Sequence, residues 1–466
     1  VGHPPAEGAG DPVNAMGVPG EDAAGRLGCA SFRRDFGVAH AYLAGSMYRG
    51  IASKELVVAM GRSGFMGFLG AAGLNPERVT GDIAHIRRHL EPHQPFGVNL
   101  LCDLQHPARE RADVEMLLAH GVRVIEASAF VKVTPALVLF HLSGLRAGPG
   151  GGAHRDTRIV AKVSRPEVAR EFMRPAPQDI VEGLVAEGRV TREQAELARR
   201  VPVAQDLTVE ADSGGHTDRG VSTVLLPSMQ SLRLHMTREF GYGEKIRLGL
   251  AGGIGTPHAV AAAFAMGADF VMTGSINQCT VEARISDAVK DRLQTIDVQD
   301  TDYCPAGDMF EIGAQVQVLK KGVLFPARAN RLYALYKSHD SWEEIPQETR
   351  RQIQDTYFKK SADDVWRETC EHLRKSGRES EIGRAERSPK RRMALMFRWY
   401  YGYSSRLSFM DADFDRANLQ IHTGPALGAF NQWARGTPWE NWRNRHPDQM
   451  ARDLMREASS ILSGYR

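Results

Sequence analysis

The sequence predicts an α/β protein: a (β/α)8 TIM barrel carrying an appended or inserted helical subdomain. Three observations predict it. Short apolar or β-branched runs recur about eight times in the first 290 residues. Each is followed by glycine or polar loop residues and then, in most cases, by a stretch with helical spacing. Beyond about residue 290 the texture changes: strand signals vanish, charge density rises and aromatic residues cluster. A doubly wound sheet is the alternative that periodicity alone leaves open.

The elements follow in order. Residues 1–30 read as a flexible linker, because positions 1–28 hold eleven Gly or Pro and no apolar periodicity. The chain opens on Val1 with no signal-peptide pattern, which suggests the cut edge of a longer polypeptide. Residues 31–290 form the barrel. Its eight candidate strands are Ala41–Gly45, Phe96–Leu101, Arg123–Ala127, Arg158–Val163, Leu207–Glu210, Thr223–Leu226, Ile246–Leu250 and Asp269–Thr273. Several are almost wholly apolar, as parallel strands buried on both faces are. Residues 50–95 are expected to hold two helices. Gln178–Arg200 reads as one helix, with Thr191 and Gln194 forming a capping box. Gly144–Asp156, with five glycines, reads as a mobile loop. Residues 291–440 form the helical subdomain, with helix patterns at Gly313–Lys320, Ala327–Lys337, Pro346–Tyr357, Ala362–Lys375 and Pro389–Tyr401. Residues 441–466 read as a C-terminal helix.

Composition narrows the function classes. There are 59 basic and 56 acidic residues, a net of +3, so no global charge argues for nucleic acid or membrane as a partner. No apolar run reaches the length of a transmembrane helix. The five cysteines are scattered, with no C-x-x-C pair, so neither a disulfide framework nor a zinc site is expected. That pattern favours a reducing, cytoplasmic setting.

Chemistry in such a barrel sits where the strands end. After the candidate seventh strand comes Ala251–Thr256, with Gly252 and Gly253. After the eighth come Thr273, Gly274 and Ser275. Glycines at these two places let backbone amides approach a phosphate; tight turns alone are the plainer reading. After the fifth comes Asp212-Ser213-Gly214-Gly215-His216, whose imidazole suits proton transfer near neutral pH; a histidine that simply hydrogen-bonds a cofactor or caps a loop is the plainer reading. Gly45, Ser46 and Met47 follow the first strand, Asn99 lies on the second and Lys162 on the fourth. Asn99 can both donate to and accept from a heteroaromatic ring edge, although polar residues line barrel mouths for structural reasons too.

Together these motifs resemble the nitronate monooxygenase and enoyl reductase superfamily of FMN barrels, with Asp212-Ser213 standing where Glu-Ala is usual. A narrower resemblance is to the PfaD family. It rests on the strings Leu43–Ser53, Thr208–Asp218, Pro305–Phe310, Phe397–Tyr400 and Gly424–Asn431, and runs from about residue 36 to about residue 436. Members of that family are trans-acting enoyl reductases of polyketide and polyunsaturated fatty acid synthases. The resemblance implies FMN as cofactor, NADPH as reductant and an enoyl thioester on an acyl carrier protein as substrate. It also implies that Gly45, Ser46 and Asn99 face the flavin ring, that Lys162 meets its polar edge, and that Gly252, Gly253, Gly274 and Ser275 hold the phosphate. His216 would sit beside the ring as proton donor or carbonyl orienter. An acyltransferase fused upstream and a homodimer are family-level expectations.

Two further hypotheses stand beside this one: a nitronate-type FMN oxidase, and a non-catalytic scaffold that docks carrier proteins. The basic run Arg384, Arg387, Lys390, Arg391 and Arg392, with Arg398, is either a carrier-protein dock or a solvated helix face. Phe397, Trp399, Tyr400, Tyr401 and Tyr403 either line an acyl channel or, the plainer reading, pack a core.

Overall fold

The computed structural model describes residues 23–148, 152–410 and 415–464. Thirteen strands are named in chain order: β1 Tyr42–Ala44, β2 Met66–Leu69, β3 Gly97–Leu101, β4 Val124–Ser128, β5 Leu145–Ala147, β6 Ala153–Arg155, β7 Arg158–Val163, β8 Asp206–Glu210, β9 Gly215–His216, β10 Arg247–Ala251, β11 Val271–Thr273, β12 Thr301–Pro305 and β13 Gln315–Leu319. Eight of them close a parallel barrel in the order β1-β11-β10-β8-β7-β4-β3-β2. Every residue of β1, β2, β10 and β11 is buried, as strands covered by helices on one side and packed inward on the other must be.

Seven of the eight expected strands lie in the barrel; Thr223–Leu226 does not. It opens the helix Ser222–Phe240, where Leu226, Met229, Leu232 and Met236 recur at helical spacing as the buried face while Val224 is exposed. A four-residue apolar run carries too few turns for its period to be read. The missing strand is β2, inside the connection expected to hold only helices. It is four residues long and bracketed by Gly64 and Gly70, so it looks like a loop in sequence. Gly67 within it lacks a Cβ that would lie 3.2 Å from Val57 Cα, which lets the helix Lys54–Arg62 pack closely. The strand numbering shifts accordingly. Asn99 lies on the third barrel strand, Lys162 on the fifth, and the Gly-Gly-His segment follows the sixth.

Other expectations are also corrected. The segment 23–30 is not linker: Ala24 is buried, and the Cys29 amide donates to Asp269 O at 2.8 Å. Residues 1–22 lie outside the described residues. The glycine-rich stretch Gly144–Asp156 is an antiparallel β5–β6 hairpin, tied by Arg146 to Asp156; its tip, 149–151, lies outside the described residues. Gln178–Arg200 is two helices, Gln178–Ala186 and Arg192–Ala198, broken at Gly188 with φ +67°. The Thr191–Gln194 capping box forms as expected.

Strands continue past residue 290. β12 and β13 pair antiparallel, and β13 also pairs with β9, so Gly313–Lys320 is extended rather than helical. Its alternation of buried valines with polar glutamines has a period of two, which fixes a strand. Helices then follow at Phe325–Ser338, Gln347–Gln352, Ala362–Lys375, Glu379–Glu386 and Pro389–Leu407, with a π-helical turn at Ile353–Phe358. Phe310, Phe325, Trp342, Phe358, Phe397, Tyr400 and Tyr401 form their core, so most of the aromatic cluster packs the interior. The basic run is largely satisfied within the fold. Lys390 reaches His339 O and Asp340, Arg391 and Arg384 both pair with Glu381, Arg398 pairs with Glu311, and Arg392 lies over the Trp366 ring. The chain then returns to the barrel. Phe430, Ala434 and the helix Pro447–Gly464 join the barrel core, the last packing on the helix Pro257–Ala265.

Candidate active site

The C-terminal ends of the barrel strands gather a buried charged centre. Glu126, on β4, is fully buried. Its carboxylate accepts from the Ser46 amide at 2.9 Å, the Ser46 hydroxyl at 2.7 Å and the Ser128 hydroxyl at 3.1 Å. Lys162 Nζ lies 3.8 Å from Glu126 and 3.0 Å from Glu210. Burial works against the Lys162 ammonium, but the two carboxylates outweigh it and raise its pKa, so it stays charged. Asn99 Nδ2 donates to Glu126 O and to Ser128 Oγ, at 3.2 and 3.0 Å. The third to sixth barrel strands thus all contribute to this centre: Asn99 from β3, Glu126 and Ser128 from β4, Lys162 from β7 and Glu210 from β8. Glu126 was missed in sequence. Its signal was a carboxylate in the otherwise apolar or small run Val124–Ser128.

Beside this centre, β10 and β11 end in a recess. Gly252 (φ +85°) has no Cβ where one would fall 2.6 Å from the Ala211 carbonyl, so only glycine fits there. Gly253 and Gly274 differ: no atom lies within 4 Å of where their Cβ would be. Among the described residues neither amide has a protein acceptor. Thr256 caps the following helix, accepting from Ala259 N. The hydroxyls nearby are engaged: Thr273 with Tyr42 at 2.7 Å and with Asn277, and Ser275 with the Gly424 amide at 3.1 Å. Gly45 lines the adjacent edge, its amide donating to Thr273 O. Met47 wedges between the barrel core and a neighbouring apolar cluster.

His216 stands over the mouth on β9. Gly214 is pressed against Thr423 and Gly424, and Gly215 takes φ +85°; together they turn the chain so that His216 pairs with Val316 of β13. His216 Nε2 lies 2.9 Å from Asp308 Oδ1, and both side chains are about half exposed. Burial lowers the imidazole pKa, but the hydrogen bond and charge of Asp308 raise it more, so it sits above the ordinary histidine value. His422 is the opposite case. Burial and the neighbouring His216 push it down to about 4, so it is neutral, 2.7 Å from Gln420 Nε2. The Asp212 backbone adjoins Gly252, while Thr217 and Tyr303 donate to its two carboxylate oxygens. Asp308 and His422 also escaped the sequence reading, because they come from segments 90 or more residues beyond the barrel strands that they face.

The mouth therefore combines free backbone amides suited to an anion with a fixed cation and a half-exposed imidazole held by a carboxylate. Among the described residues no cluster of His, Cys, Asp and Glu could hold a metal, and no helix is long and apolar enough to cross a membrane.

Comparisons with known proteins agree with this architecture. Residues 339–418 match the inserted helical domain of [acyl-carrier-protein] S-malonyltransferase. The polyketide biosynthesis protein PksE of Bacillus subtilis is 50% identical over 436 residues, 94% of this chain and 56% of that protein. The polyketide biosynthesis protein ThaF of Burkholderia thailandensis is 50% identical over 438 residues, 94% of this chain and 37% of that protein. The chain thus spans about half or less of these relatives' length. The crystal structure of the enoyl reductase domain of MlnA, from the macrolactin cluster of Bacillus amyloliquefaciens, superposes with a TM-score of 0.91 at 43% identity, covering 95% of this chain and 99% of that one. A relative so alike, matched along nearly its whole length, settles the family: the chain belongs to the PfaD-type trans-acting enoyl reductases of polyketide and polyunsaturated fatty acid synthases.

Proposed function

We propose that this chain reduces the α,β-double bond of an enoyl thioester carried on an acyl carrier protein, with FMN bound in the barrel mouth and NADPH as reductant. The observation that carries the reading is the recess at Gly253 and Gly274. Its two free amides and missing side chains fit a phosphate, and it opens at the same barrel end as Lys162 and His216. Gly252, Gly253, Gly274 and the backbone at Thr273 and Ser275 would hold the FMN phosphate. Gly45, Ser46, Met47 and Asn99 would border the ring, with Lys162 at its polar edge and Gly214 and Gly215 allowing close approach. The Asp212 carboxylate would brace the His216 loop through Thr217.

The bound flavin supplies the relay of a hydride from NADPH to the enoyl β-carbon. The chain's own work is to orient and to protonate. His216, whose protonated form Asp308 favours, delivers a proton to the α-carbon of the resulting enolate. Lys162, clamped between Glu126 and Glu210, keeps a fixed positive charge at the centre of the mouth without exchanging its proton. The carrier-protein partner is supported by the match of residues 339–418 to a helical domain of a carrier-protein acyltransferase.

The test is anaerobic oxidation of NADPH by the FMN-loaded protein with a crotonyl-type thioester. Stoichiometric formation of the saturated thioester is expected. Oxygen-dependent turnover of a nitronate without thioester reduction would replace this reading with the oxidase; failure to take up FMN would leave a scaffold.

A further inference from the structure

The imidazole proposed as proton donor is held by a carboxylate that comes from outside the barrel. His216 lies on the two-residue strand β9, and Asp308 on the turn between β12 and β13, the strands with which β9 forms one antiparallel sheet. Both partners are therefore fixed to the same small frame, 92 residues apart in sequence. Four titratable groups face His216: Asp308, Glu210, Lys162 and His422. Only Asp308 touches the ring, and among the described residues His216 is its sole ion-pair partner. A pair this exposed adds little to stability, so its geometry calls for another role.

We propose that Asp308 is the positioning residue for His216: it accepts the Nε2–H, fixes the ring plane over the barrel mouth, and leaves Nδ1–H as the proton handed to substrate. The assignment rests on the reductase reading above. In that step the Nδ1–H bond breaks, the α-carbon–H bond forms and the enolate charge is quenched. The imidazolium becomes neutral imidazole and regains its proton from water. Asp308 accepts throughout and never changes protonation. The Lys162 charge opposes the imidazolium, Glu210 supports it, and His422 is neutral at working pH, so Asp308 is the group that keeps His216 proton-loaded.

The sign is fixed by the chemistry. A general acid works while protonated, so thioester turnover holds below the His216 pKa and falls as pH rises through it. Asp308→Asn keeps the shape but removes the charge. It should move this fall to lower pH by roughly one unit and reduce kcat at pH 8 by about tenfold, the factor one pH unit represents, with KM little changed. Asp308→Glu should recover part of the loss. Histidine-ring NMR of the FMN-loaded and FMN-free protein should show the His216 titration moving down by the same amount in Asp308→Asn. Wild-type turnover with an unmoved pH profile and an unmoved His216 titration in Asp308→Asn would overturn the assignment alone. A wild-type protein inert toward enoyl thioesters would overturn the reductase reading and this assignment with it.

Discussion

Arg247 and Asp206 open adjacent barrel strands in register, and two hydrogen bonds of 2.6 and 2.8 Å join them where neither is exposed to solvent. Asp35 takes a third guanidinium N–H at 2.8 Å. This is the floor of the barrel, the end opposite the candidate site. Removing one partner strands a buried charge. Arg247→Met should therefore cost about 3–5 kcal/mol of stability, read by urea denaturation. Below its melting temperature the variant should keep its FMN affinity.

The two open glycines of the recess separate binding from folding. Gly274 has open space where a side chain would go, and its φ of −130° with ψ of −74° lies outside the regions L-residues favour. Gly274→Ala should fold with only a small loss of melting temperature and bind FMN at least about tenfold more weakly, the loss expected when about 1.4 kcal/mol of phosphate contact is blocked. Flavin fluorescence titration measures it. Gly252→Ala should instead lower the melting temperature, since its Cβ would lie 2.6 Å from Ala211.

Two histidines are held neutral. Burial pushes His141 down to about 3, and burial with His216 pushes His422 to about 4. Both folded values lie below the unfolded value near 6.5, so their contribution is intact above about pH 6.5 and is lost as pH falls toward the folded values. At pH 5 each should cost about 2 kcal/mol. Among the described residues His141 Nε2 has no partner, so His141→Leu should remove its share of the acid sensitivity. Urea midpoints at pH 7, 6 and 5 would show a shallower fall in the variant.

Charge reversal in the basic run should act on the fold before it acts on any partner. Arg391→Glu places a second carboxylate beside Glu381, which already holds Arg384. A loss of about 1 kcal/mol is expected. Turnover of carrier-bound and small thioesters should fall alike at temperatures near the transition.

The sequence was legible where local pattern and local chemistry coincide. Seven barrel strands were apolar runs with loops behind them, and the Gly252–Gly253 and Thr273–Ser275 motifs stand at strand ends as read. It was opaque where four residues had to decide between periods. Met66–Leu69 and Thr223–Leu226 exchanged identities because neither spans enough residues to show a repeat. Gly313–Lys320 reads as helix although Val316 and Val318 alternate with glutamines. Partners distant in sequence were also hidden. Nothing near His216 announces Asp308, and nothing near Asp212 announces Tyr303. Their meeting is a product of β9 pairing with β13.

The packing of the turn Ala23–Arg26 against the helix Pro447–Gly464 carries a consequence for biosynthesis. Ser63 Oγ also donates to Asp448 at 2.6 Å, so early and late parts of the chain are sealed to each other. The barrel's outer layer cannot be completed until the helix Pro447–Gly464 has left the ribosome, whereas the segment that supplies Asp308 and the aromatic core can assemble before it. Nascent chains stalled before residue 447 should leave the helix Pro257–Ala265 without its covering helix and become clients for chaperones.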